Sequence, residues 1–144
     1  MTTIDAPAHT LPATSVTPFS RGRFAIVVAV AAVVNLAIFA IGSAAGASMI
    51  VNTGSATQLI AVLPVVATVV PLVLAGLVTW FVARRVRVFR PVAGWVGAVV
   101  AMFSTIAPFV MSADAATGVS LAAMHVVAGV AWFVALMTGR NSEV

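Results

Sequence analysis

Four stretches of this chain, over residues 24–45, 59–83, 91–111 and 118–137 or so, are long, apolar and almost free of charge, and they leave few choices of fold. At 1.5 Å of rise per residue, a helix of about 22 residues covers roughly 33 Å, enough to cross the ~30 Å hydrocarbon core of a bilayer. In lipid every backbone N–H and C=O must find its partner inside the protein, which admits only helices or a closed barrel. The stretches lack the strict two-residue alternation of a membrane strand, so they are read as helices. The second stretch exceeds the required length and holds Pro64 and Pro71, an excess that tilt or a proline kink absorbs. The expected fold is therefore an all-α membrane bundle of four transmembrane helices.

Composition excludes the alternatives. Hydrophobic residues make up 62% of the chain and charged residues 7%, against about 25% charged in ordinary globular proteins. So few polar side chains could not cover the surface of a soluble domain. Cysteine is absent, which removes disulfides, thiol redox chemistry and Cys-based metal sites together. All seven basic residues are arginine, and arginine without lysine beside abundant Ala and Val fits a GC-rich bacterial genome. Residues 1–20 are rich in Thr, Pro, Ala and Ser and read as a disordered cytoplasmic tail. Residues 21–140 form the transmembrane domain.

Charge predicts the orientation. Arg21 and Arg23 precede the first span, Arg84, Arg85, Arg87 and Arg90 follow the second, and Arg140 follows the fourth. Placing both termini in the cytoplasm puts all of these on one side, as the positive-inside rule requires, with Asp114 on the other. The competing reading of the first span is a cleavable signal peptide, but its apolar core exceeds the usual ~7–15 residues and a polar tail precedes it. A sequence pI near 11.9 would suggest nucleic acid in a soluble protein. Here the arginines flank apolar spans, so they are topology determinants that also attract anionic lipid, and nucleic acid is not an expected partner. Trp80 and Trp95 are expected as interfacial anchors and Trp132 as a packing residue.

The spans contain no Asp, Glu, Lys or Arg. Proton-coupled transporters and pumps generally keep such a residue in the membrane, and the small four-helix multidrug transporters depend on an embedded glutamate that this chain lacks. What remains is a set of neutral polar residues from mid-depth outward: Asn35, Thr68, Ser104, Thr105 and His125. Each lies among small residues at three- and four-residue spacing, a pattern of close helix approach, so the five are expected to converge. Two readings stay open. The cluster ties helices together by interhelical hydrogen bonds, or it lines a ligand or ion site. His125 is expected as a neutral imidazole donating to Asn35 or Ser104. Haem ligation by His125 would need a second axial residue within the spans, so no cofactor or metal is expected. Gly42 and Gly46 form a GxxxG pair read as packing within the chain rather than as a dimer contact.

The segments VVNLAIFAIGSAAG, FSTIAP and SLAAMHVVAGV resemble a family of uncharacterised actinobacterial four-helix membrane proteins, a domain of unknown function. The resemblance covers residues 24–137, and Asn35, Ser104, Pro108 and His125 match its polar positions. It implies a four-helix fold in a bacterial inner membrane and no particular activity. Phe103-Ser104-Thr105 is also similar to a short element of small dimeric fluoride channels, but the rest of that pattern is absent. The functional expectation is a non-enzymatic structural or interaction component of the bacterial cytoplasmic membrane, with a membrane protein or a second copy as a possible partner. The alternative is a small channel or transporter using the mid-membrane polar residues.

Overall fold

The computed structural model describes residues 20–138. The tail expected over residues 1–20 falls, apart from Ser20, outside the described residues, as does Arg140. Four helical spans make up the bundle: α1 (Arg21–Ala44), α2 (Val62–Ala83), a third span divided into α3 (Phe89–Ser104) and α4 (Ile106–Met111), and α5 (Ala115–Met137). All four are long and apolar enough to cross a membrane. Their outward faces carry Val, Ile, Leu and Phe side chains in the open, including Val33, Leu77, Phe103 and Val110, as lipid contact requires.

Local chemistry sets the ends. Ser20 caps α1 by accepting the Arg23 N–H, and Asp114 caps α5 by accepting the Thr117 N–H. α5 consequently starts three residues before the apolar run at Gly118. α2 starts at Val62, so Pro64 falls in its first turn, where a missing N–H costs little. The third span was expected to be continuous over 91–111, and it is not. Pro108 has no N–H to offer the Ser104 carbonyl and its ring crowds that carbonyl, so α3 stops at Ser104 and α4 resumes after Thr105. The loop over 46–58 also contains unforeseen structure: β1 (Ile50–Asn52) and β2 (Ala56–Gln58) pair antiparallel, with Val51 opposite Thr57. An isolated bridge joins Val51 to Ser112, so the hairpin packs against the connection between α4 and α5.

α5 is the central helix and packs chiefly against α3 and α1, while α2 packs mainly on α1 and touches α5 little. Near the end that carries Arg21, Arg84 and Arg87, the core consists of Val28, Ala31, Leu72, Ala131, Trp132 and Leu136. Trp132 is buried there as expected, donating Nε1–H to the Ala93 carbonyl at 2.8 Å and meeting Phe24 edge-on. The opposite end of the bundle carries the hairpin, Asp114 and most of the buried polar side chains.

Candidate functional site

Asn35 projects from α1 into the bundle and is only 1% exposed. It lies 14 residues after Arg21, about 21 Å along the helix, and so past the middle of α1 toward the Asp114 end. Its Nδ2 donates to Thr68 Oγ1 on α2 at 2.7 Å and to the Met124 carbonyl on α5 at 3.4 Å. The Thr68 hydroxyl proton goes to the Pro64 carbonyl at 2.6 Å, so Oγ1 must act as an acceptor toward Asn35. That fixes the amide orientation. The NH2 group faces two acceptors, and Oδ1 is left buried without a hydrogen-bond partner. An orphaned buried acceptor is uncommon in a native structure and calls for a cause.

The remaining three predicted residues divide. His125 is half-buried, and Nδ1 stands 2.8 Å from the Leu121 carbonyl of its own helix. A carbonyl can only accept, so Nδ1 carries the proton, and in the neutral ring Nε2 is an acceptor. The expected donation from His125 to Asn35 or Ser104 is therefore replaced by a bond one turn back along α5. Ser104 donates to the Val100 carbonyl at 2.8 Å and Thr105 to the Met102 carbonyl at 2.6 Å. These two hydroxyls satisfy carbonyls at the helix break and take no part in the Asn35 cluster.

Asn35, Thr68 and His125 nonetheless share a wall. All three line a half-open cavity of about 410 Å³ together with Leu63, Met124 and Ala128, between α2 and α5 with α1 behind. The cavity is mainly apolar and exists because α2 and α5 touch little at this level. Asn35, Thr68 and His125 are its polar lining, Asn35 Oδ1 is itself buried, and no Asp, Glu, Lys or Arg lines it. Among the described residues no group of three or more His, Cys, Asp or Glu could hold a metal ion.

A second polar assembly closes the bundle above this cavity. Asp114 accepts from the Thr117 N–H at 2.8 Å, from the Thr117 hydroxyl at 2.7 Å, from the Ser48 N–H at 3.1 Å and from the Ser48 hydroxyl. Led by the Ser48 hydroxyl and then the Thr117 N–H, these donors hold the Asp114 carboxyl well below the usual carboxylate range, against an opposing desolvation effect. Thr117, fully buried, also accepts the Met49 N–H at 2.9 Å. Met49 itself has φ of +53°, a left-handed conformation rare for a residue with a side chain, held by this bond and by burial. The Met49 side chain fills space left by Gly42, where a Cβ would collide with Ser120 Oγ and Met49 Cε. Gly42 thus serves packing within the chain, while Gly46 lies past the end of α1.

Asp114 reads in the sequence only as a charge, and Ser48 and Thr117 lie outside the predicted polar set. The signal for Thr117 was its position three residues after an Asp that precedes an apolar run, a helix-start pattern. Ser48 carries no such signal, since it meets Asp114 across 66 residues. The arginine segment also resolves into distinct parts. Arg90 donates Nε–H to the Leu136 carbonyl at 2.8 Å and reaches the Thr138 carbonyl at 3.4 Å, closing the last turn of α5. Arg84 stacks on Trp80, while Arg85 and Arg87 are exposed.

Comparison with known proteins yields one family. A model described as a family of unknown function, DUF6069, matches residues 15–142. No curated protein and no solved structure matches the chain.

Proposed function

The chain belongs to this family of unknown function, and we propose that it is a non-enzymatic binding component of a bacterial cytoplasmic membrane, with both termini cytoplasmic. Its cleft between α1, α2 and α5 would receive an apolar molecule, or an apolar segment of a partner, that carries a hydrogen-bond donor. One observation supports this above the others: Asn35 Oδ1 is buried and unpaired in a residue that lines the cavity. A purely structural clasp has no use for an orphaned acceptor, whereas a donor arriving with a ligand satisfies it. The orientation rests on the clustering of arginine at one end of the bundle. The bacterial assignment rests on the arginine-only basic composition and on the likeness to actinobacterial membrane proteins.

A channel or transporter is the alternative, and it needs a water-accessible route to Asn35. Against it, the packed core toward the arginine end is built of apolar side chains. Cysteine at Ala128, on the cavity wall, tests the choice. With the protein in liposomes, a membrane-permeant maleimide should label it and a charged thiosulfonate should not. Rapid labelling by the charged reagent would sink the binding reading in favour of a conducting one. Mass spectrometry of lipids and proteins retained through purification, compared between the native chain and Asn35→Leu, should then show a species that only the native chain keeps.

A further inference from the structure

At the arginine end, α1 and α2 leave a second depression, independent of the Asn35 cleft. It is a half-open groove of about 500 Å³ lined by Phe24, Val28, Val69 and Val73, with Arg21 and Trp80 at its mouth. Gly76 shapes it: a Cβ there would collide with the ring of Phe24, whose Cε1 would stand only 2.7 Å away. Glycine lets that ring cross close over α2 and removes a side chain that would otherwise fill the space.

Charge gathers at the same mouth. The Arg21 guanidinium lies 4.4 Å from the centre of the Trp80 ring and that of Arg84 lies 4.5 Å from it. One indole thus holds two cations from two helices within about a Debye length of each other. Among the described residues no carboxylate is near to neutralise them. Among the described residues Asp114 is the sole acidic side chain, and it sits at the opposite end of the bundle. A cation–π contact fixes a guanidinium without using its N–H donors as hydrogen bonds, so both arginines keep donors for an anion.

The dimensions match a lipid. The groove runs from Arg21 to Ala29 on α1 and from Trp80 back to Val69 on α2. By helical rise that is about 12–16 Å, the depth of one leaflet of a ~30 Å hydrocarbon core. We infer that this groove is a site for one anionic phospholipid, its phosphate held by Arg21 and Arg84 and an acyl chain lying over Gly76. Charge complementarity at the mouth and an apolar channel of leaflet depth below it select a lipid over a soluble anion. Arg85 and Arg87, exposed on the same connection, take no part in the site.

Native mass spectrometry of the purified full-length protein in detergent tests this, with phosphatidylglycerol and phosphatidylcholine of equal chain length as probes. At about five-fold per arginine near a membrane surface, phosphatidylglycerol should be retained up to roughly thirty-fold better than phosphatidylcholine. R21Q/R84Q should bring the two lipids level, while the charge-matched R85Q/R87Q should leave the preference intact. V73W, which keeps both arginines and fills the groove from its lipid-facing side, should lose the bound lipid with its helical circular dichroism unchanged. Glycerol 3-phosphate should not displace phosphatidylglycerol. The inference fails if the native chain shows no preference, if both double variants lose it equally, if V73W retains the lipid, or if glycerol 3-phosphate competes. Should R21Q/R84Q not fold, the V73W result decides.

Discussion

Asn35→Leu removes the polar group that links three helices, and the intuitive outcome is loss of stability. The geometry argues the reverse. What is lost is one good interhelical bond, Nδ2 to Thr68 Oγ1 at 2.7 Å, and a long contact to the Met124 carbonyl. Interhelical bonds of this kind average ~0.6 kcal/mol in membranes and reach ~1.7 at most. Thr68 keeps its bond to the Pro64 carbonyl, so no new orphan is created on α2. What is gained is removal of the buried, unpaired Oδ1, whose desolvation costs about 1–3 kcal/mol. Leucine has the same number and branching of side-chain heavy atoms as asparagine, so no cavity follows, and its wider methyl groups have the adjoining cavity to relax toward. The balance is a bundle unchanged or more stable by up to about 2 kcal/mol, measured by reversible unfolding in mixed detergent micelles. Destabilisation of more than about 1 kcal/mol would refute the reasoning, because it would mean that Oδ1 has a partner and that Asn35 is a structural clasp.

Four further outcomes follow from the same structure. Thr117→Val leaves the Met49 N–H buried without its acceptor and removes a donor to Asp114, so it should cost about 2 kcal/mol in the same unfolding assay. Asp114 has its native pKa depressed by its donors, so the stability it contributes is present above the ordinary carboxylate value of about 3.9 and is lost as pH falls through the native value. The difference in melting temperature between the native chain and Asp114→Asn, a cap that does not titrate, should hold from pH 7 to about 5 and shrink only in stronger acid. Gly42→Leu should drive a side chain into Ser120 and Met49, destabilising by about 1–3 kcal/mol, and cross-linking should report no change that depends on a dimer. Arg90→Gln should cost about 1 kcal/mol by uncovering the last carbonyls of α5, visible as faster amide exchange in its final turn.

The features legible in the sequence are those that lipid reduces to one dimension. Span length, apolarity and the gathering of arginine at one end depend on position along the membrane normal, and counting residues recovers that position. Rotation about the normal is less accessible. Ser104 and Thr105 lie at a suitable depth, but Pro108 breaks the helix at Ser104, and both hydroxyls turn to carbonyls of α3. His125 lies on the cavity wall, yet the carbonyl one turn back on α5 competes for its proton and wins. Asn35 and Thr68 do meet, because small residues on α1 bring α2 near and because Pro64 and Thr68 share one face of α2. The hairpin and the Ser48–Asp114–Thr117 assembly were invisible for a different reason. The bonds from Ser48 and Met49 to Asp114 and Thr117 join segments more than sixty residues apart, while the hairpin's own pairing and the Asp114–Thr117 cap are local and their residues read individually as ordinary loop chemistry.

The two ends of the bundle are built on opposite principles, and that contrast bears on how anything reaches Asn35. Toward the arginines the core is apolar and closed around Trp132 and Leu136. Toward Asp114 the hairpin is tied down over the ends of α1 and α5 by bonds to Ser48, Met49 and Thr117. The cleft at Asn35 lies between these closures, and its open side is the gap where α2 and α5 touch little. On the binding reading, a ligand therefore enters from within the bilayer. It must be lipophilic enough to dissolve there and must carry at least one donor for Asn35 Oδ1. Loosening the hairpin by Thr117→Val should leave ligand retention unchanged, whereas Ala67→Phe on the cavity wall should abolish it. The opposite pattern in the retained-lipid assay would place the entrance at the hairpin and make the ligand a water-soluble one.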